Sequence, residues 1–283
     1  LHALRLSDPD GACELLEETL SEQPKHKGAR RALEALMTNE GLRQRIARTL
    51  EPLFEADGDF TRLSQVLRVQ REALPSERSP EAAALLSRIA RITEENLKKP
   101  SEALDAYREA LRLDPADAAN KLNVERLATQ SGRFEDLAAA WEDAFRATDE
   151  DNLALRGELL RRAAELYDHR LQDASRARDA WKRLLDLDPT SLDTAKPAAV
   201  ALARLYEQSA QHSELIEVLR RQAEWAQGSD RKELLFRIGD IQKTLLLDPQ
   251  AAVSTYREIL DSDAQEVRAL DALEALHVEQ GQW

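Results

Sequence analysis

Apolar residues recur along this chain at helical intervals. In one stretch Leu86, Ile89, Ala90 and Thr93 fall three or four positions apart, and in the next Ala103, Tyr107, Ala110 and Leu111 do the same. That spacing sets each group on one face of an α-helix. Pro115 ends the second helix, because proline has no amide hydrogen to continue the ladder.

The pattern then repeats. The segment from Ser101 to Pro115 returns as Ser175 to Pro189 and again as Gln250 to Ala264, so Tyr107, Trp181 and Tyr256 stand 74 and then 75 residues apart. A second, related pair of helices lies between these copies, marked by Gly58-Asp59-Phe60, Gly132-Arg133-Phe134 and a degenerate Ala210-Gln211-His212. Each long repeat therefore comprises four helices, or two helical hairpins. A lone hairpin cannot bury its apolar face, whereas stacked hairpins share a continuous core. The pattern predicts an all-α solenoid of about 15 helices.

The order of large and small residues resembles the tetratricopeptide repeat family, in the manner of long bacterial scaffolds. It is carried by Leu160, Ala163, Ala164, Tyr167, Ala177, Trp181 and Pro189 in one copy, and by Leu235, Ile238, Gly239, Ala252 and Tyr256 in another. Small residues permit close helix approach and the aromatic fills the facing gap. The sequence departs from the family where Leu86, Leu160 and Leu235 replace a common Trp, and where Glu51, Glu125 and Glu274 occupy the small-residue site of alternate hairpins. The resemblance covers nearly the whole chain and implies a right-handed superhelical stack of antiparallel hairpins.

One solenoid is expected over 1–283, regular from 58 to 283 and irregular over 1–57. Leu6 to Pro24 matches Leu97 to Pro115, and the tail from Asp271 matches the approach to Gly132, so both ends cut into repeats and the natural protein is expected to continue beyond them. Only 17 residues separate Pro115 from Gly132, but after Pro24 a further 17 follow Gly41 before Gly58. An extra helix near Leu42 to Ala56, interrupted at Pro52, is expected there, with a kink between residues 25 and 58.

The family resemblance also implies a function. In tetratricopeptide proteins the first helix of each hairpin lines a concave groove that binds peptides, helices or domains. Carried over by position, the groove residues are Ser87, Arg91, Glu95, Arg126, Arg161, Glu165, His169, Arg204, Phe236 and Asp240. Phe236 reads either as a groove-facing aromatic anchor or, on a slightly rotated helix, as core. Asn120, Lys121 and Asn123 faintly echo a carboxylate-binding clamp.

Composition narrows the alternatives. A formal charge of −13 opposes phosphate backbones and anionic lipid, so neither nucleic acid nor membrane is an expected partner. No apolar run is long enough to span a bilayer, and a cytoplasmic location is expected. Charge is uneven: Lys25, Lys27, Arg30, Arg31, Arg43, Arg45 and Arg48 form a basic stretch, while 248–279 is acidic. The simple reading is a solvated helix face, and the sharper one is docking between the basic and acidic ends of neighbouring molecules.

Chemistry for catalysis is sparse. The glycines are too far apart to cradle a phosphate. His2, His26, His169, His212 and His277 form no pair on one helix face, so no metal is expected. Cys13 is the single cysteine and reads as a small buried hydrophobe. Asp8-Pro9-Asp10-Gly11 and Asp149-Glu150-Asp151 read as turns and helix caps and not as calcium loops, since Thr19 stands where a calcium loop needs Glu. Neither an enzyme nor a cofactor is expected. The leading reading is a protein-interaction scaffold, with a helical-repeat nucleic-acid binder and the sensor arm of a larger protein as alternatives.

Overall fold

The computed structural model describes residues 8–74, 79–188 and 191–279. Leu6, His2, Pro189 and the last residues of the tail lie outside them. Among the described residues there are fifteen helices: α1 (Pro9–Glu22), α2 (Lys27–Leu36), α3 (Glu40–Asp57), α4 (Phe60–Glu72), α5 (Pro80–Glu95), α6 (Pro100–Leu113), α7 (Ala118–Ser131), α8 (Phe134–Ala147), α9 (Leu153–His169), α10 (Ala174–Leu187), α11 (Leu192–Gln208), α12 (His212–Trp225), α13 (Gly228–Thr244), α14 (Pro249–Ser262) and α15 (Val267–Glu279). They form two compact units, residues 1–149 and 150–283.

Short polar caps decide where the helices start. Asp8, Asp117, Asn152, Asp173 and Asp248 each accept a hydrogen bond from a first-turn amide of the helix they precede. Such caps satisfy donors that have no partner inside the helix. Asp8 is thereby a cap, as its turn-like sequence implied.

The turns between helices explain why the repeat contains four helices and not two. In one type the connection is Asn96 to Lys99, Arg170 to Asp173 or Leu245 to Asp248, with the third residue left-handed: Lys98 at φ 58°, Gln172 at 54° and Leu247 at 54°. Each of these turns makes the same pair of bonds. The Leu97 and Leu171 amides donate to the carbonyls of Ile92 and Leu166, and the Lys99 and Asp173 amides to those of Thr93 and Tyr167. The other type is shorter and turns at Gly58 (φ 68°), Gly132 (68°) or Ala210 (54°). Alternation of the two turns along the chain generates the long repeat.

Each hairpin packs its two helices together, and within each unit successive hairpins pack in sequence. Tyr107, Trp181 and Tyr256 are buried as the pattern predicted, and so are Ala90, Ala164 and Gly239 opposite them. At Gly239 the approach is close enough to demand glycine, because a Cβ there would sit 2.5 Å from the Tyr256 ring. Leu160 and Leu235 are buried where the family often has Trp, while Leu86 is half-buried. Glu125 and Glu274 are exposed, and the close contacts in α7 are made instead by Ala128.

The helix expected near Leu42 to Ala56 is present as α3, and α2 precedes it in the span 25–58. Pro52 lies inside α3, which continues to Asp57 without the expected interruption. α3 ends at Gly58 as α7 ends at Gly132, so α3 and α4 form the regular hairpin and α2 is the inserted element. α1 packs on both α2 and α3. Cys13 is fully buried between them, and burial, reinforced by Glu17, pushes its thiol up to about 11.

Candidate functional site

The first helices of the hairpins are α3, α5 and α7 in the first unit and α9, α11, α13 and α15 in the second. Within each unit their outward faces meet through ion pairs. Arg126 on α7 reaches Glu94 on α5 at 2.7 Å, and Arg88 on α5 reaches Glu55 on α3 at 2.9 Å and also Glu51. In the second unit Arg204 on α11 pairs with Asp168 on α9, Arg237 on α13 with Glu207 on α11 at 2.9 Å, and Arg268 on α15 with Glu233 on α13 at 2.8 Å. Arg88 and Arg237 hold the same position in their repeats, as do Glu94 and Asp168. The repeat therefore encodes a ladder of charge from one hairpin to the next.

The Arg237–Glu207 and Arg268–Glu233 rungs are solvent-exposed, and an isolated pair of that kind contributes about 0–1 kcal/mol. The Asp168 rung differs. Its carboxylate is 4 % exposed and also lies 3.4 Å from the Trp181 indole nitrogen, which donates to it. A buried carboxylate with two donors is a structural device first.

The ten expected groove residues fall into distinct environments. Arg91 and Glu95 are exposed and enter no ion pair among the described residues. Arg126 is bound to Glu94, which holds its guanidinium above the usual arginine value. Ser87 Oγ lies 2.9 Å from Asn120 Oδ1 and bridges α5 to α7. Asn120 is 1 % exposed, so it packs inside the unit and does not line an open clamp, and Asn123 is turned to Arg126 at 3.1 Å.

In the second unit Arg161 and Glu165 form an exposed pair on their own helix at 3.5 Å. His169 is exposed, with its Nδ1 4.0 Å from Asp168. Arg204 is committed to Asp168. Phe236 is 3 % exposed, 6.2 Å from the Tyr256 ring, and covered by the Arg268 guanidinium 4.0 Å from its centroid. The anchor reading of Phe236 is thus corrected: the ring is core, and Arg268 occupies the space that a ligand would need. Asp240 is exposed and accepts the Tyr256 hydroxyl at 2.7 Å; burial and this bond raise the tyrosine pKa.

Asp240 also lines an open cleft of about 490 Å³ on the first-helix face of the second unit. Leu234 and Leu245 supply its apolar surface above the buried Leu215 and Ile241, and Glu207, Arg237, Glu233 and Arg268 supply its charged walls. His212 lies at its edge, half-buried as expected, with Nδ1 buried and unpartnered. The size suits a few side chains of a peptide.

Sequence reasoning missed Glu94, Asp168, Glu207, Arg237, Glu233 and Arg268. Their signal is complementary charge roughly one hairpin apart, which becomes legible once the register of the repeat is fixed.

The basic stretch is neutralised in part. Arg30 pairs with Asp57, Arg43 with Glu72 at 3.0 Å and Arg45 with Glu17. Lys25, Lys27, Arg31 and Arg48 remain exposed without a partner among the described residues. In the acidic end, Lys232 binds Asp263 at 3.0 Å and Glu266, and Lys243 binds Glu279 at 3.1 Å. Among the described residues no helix is long and apolar enough to cross a membrane, and no three acidic, His or Cys side chains gather as metal ligands.

Residues 158–191, spanning most of α9 and all of α10, match the tetratricopeptide repeat family. No curated protein matches the sequence significantly. Solved structures similar to this chain include that of MamA, at 14 % identity and TM-score 0.33 over 65 % of this chain and 92 % of that one. PilF of Pseudomonas aeruginosa aligns at 16 % identity and TM-score 0.33, over 85 % of this chain and 99 % of its own. Naa15/Naa10 bound to HypK-THB aligns at 13 % identity and TM-score 0.39, over 95 % of this chain but 39 % of that one. At such low TM-scores these likenesses carry no argument of their own. The protein is an all-α, tetratricopeptide-like chain of sequential helix hairpins, with a tetratricopeptide repeat at residues 158–191.

Proposed function

We propose that this chain is a non-catalytic scaffold that binds a peptide, helix or domain of another protein through the face formed by its first helices. The observation that carries this reading is the cleft beside Asp240, where apolar surface from Leu234 and Leu245 is framed by fixed charge. Apolar floors with a few oriented polar groups favour side-chain recognition. In the first unit the exposed, uncommitted Arg91 and Glu95 offer further contacts.

Nucleic acid is disfavoured by the same geometry. Its binding draws on a surface of free cations, whereas the arginines of the ladder are already paired with carboxylates. Docking between basic and acidic ends is the weaker reading, because Arg30, Arg43 and Arg45 at one end and Asp263, Glu266 and Glu279 at the other are already paired within the chain. The inserted α2 supports a change in stacking direction between residues 25 and 58.

The test is affinity capture from a native lysate with the chain and with a variant carrying Arg91→Ala, Arg161→Ala and Asp240→Asn on a folded background. A protein retained by the chain and released from the variant supports the reading. Equal retention by both refutes the first-helix face as the site.

A further inference from the structure

A second cavity lies on the opposite set of helices, in the first unit. It occupies about 440 Å³ between the second helices α4 and α6, and Leu86 and Ile89 of α5 form its floor. The next second helices are closed differently: α6 packs directly on α8, and Arg108–Asp136 at 2.6 Å and Arg133–Asp105 at 2.9 Å tie them together. Between α4 and α6 the corresponding tie is a loose contact of 3.6 Å from Arg71 to Glu109.

The charges around this cavity are unequally satisfied. Glu72, Glu102, Asp105 and Glu109 each have a closer cation elsewhere: Arg43 at 3.0 Å, Lys99 at 2.8 Å, Arg133 at 2.9 Å and Arg112 at 2.8 Å. The hydrogen bond from Arg112 holds Glu109 below its ordinary value, so that carboxylate is already committed. The two guanidiniums are less fully satisfied. Arg68 is exposed on the cavity wall and has no ion pair or hydrogen bond among the described residues. Arg71 is 15 % exposed, and its Nε is buried without a partner. A buried donor left unmade is costly, and guanidiniums bind carboxylates through paired bonds.

We infer that the cavity between α4 and α6 is a second docking site, which takes an acidic side chain flanked by aliphatic residues on a peptide segment of another protein. The carboxylate bonds Arg68 and the solvent-reachable end of the Arg71 guanidinium, and an aliphatic neighbour covers Leu86. This site is on different helices from the first-helix face and does not depend on that reading.

A random-peptide phage library is panned against the whole chain, against Arg68→Gln, against Arg68→Gln/Arg71→Gln and against Asp240→Asn. Arg68 is exposed, so its single variant keeps the fold whatever Arg71 does, and melting of each variant is recorded. Peptides with Asp or Glu beside Leu, Ile, Val or Met are expected to be enriched on the chain and on Asp240→Asn, and lost on both Arg68 variants. The leading peptide, remade with Gln or Asn for its acid, is expected to bind about tenfold or more weakly. Enrichment that survives Arg68→Gln, peptides without an acid, or no enrichment at all overturns the inference. Displacement of the peptide by octanoate at equal affinity overturns the peptide as the source of the carboxylate.

Discussion

Replacing Gly239 with alanine is expected to destabilise the protein, against the usual trend for a helix. In an exposed helix interior this change stabilises by about 1 kcal/mol, since glycine has the larger entropy to lose. Here the new Cβ would lie 2.5 Å from Cε1, 2.7 Å from Cζ and 3.1 Å from Cδ1 of Tyr256. That ring is 1 % exposed, its hydroxyl is bound to Asp240, and Phe236 packs beside it. It has nowhere to retreat. Overpacking of this kind costs about 1–3 kcal/mol, and contact with three ring atoms argues for the upper part. After the propensity gain, the net loss is about 1–2 kcal/mol. Thermal unfolding followed by circular dichroism should show a melting point lower by about 2–4 °C per kcal/mol. In a Tyr256→Leu background the penalty should vanish, because the shorter side chain leaves room for the methyl. A Gly239→Ala variant that melts at or above the parent refutes the close-approach argument.

Three further outcomes follow from the geometry. Arg204→Met should cost about 1–3 kcal/mol, because it strands the buried Asp168 carboxylate against a partly solvated partner position, and Asp168→Asn in the same chain should recover most of it in urea unfolding. Leu247→Gly should raise stability by about 1 kcal/mol, since Leu247 is left-handed at φ 54° and 77 % exposed, so little packing is lost when the strain is removed. Cys13 should resist a thiol reagent in the folded protein near pH 8 and react on unfolding; its thiol is raised to about 11, so the folded state holds the proton more tightly and stability falls as pH rises from the ordinary thiol value toward 11. Rapid labelling of the native chain would contradict that burial.

The sequence made the fold legible where local rules and the long repeat agreed. Pro115 and the glycines at 58 and 132 carried the ends of helices, and Tyr107, Trp181 and Tyr256 carried the core. Leu247 was not legible as a left-handed residue, because nothing in leucine favours that conformation and only its place in the repeated turn imposes it. Phe236 was decided by Arg268, a residue two helices away whose guanidinium covers the ring. The groove set transferred by position mixed free residues such as Arg91 with committed ones such as Arg204. Commitment depends on a partner one hairpin distant, and single-helix spacing does not encode it.

Binding through the first-helix face is the reading on which the proposed function turns. A photocrosslinking side chain placed at Arg91, Arg161 or Asp240, and in parallel at the exposed second-helix positions Arg146 and Asp179, tests it in native lysate. One or more discrete crosslinked proteins are expected from the first-helix positions and none from Arg146 or Asp179. Crosslinks confined to Arg146 and Asp179 would contradict it.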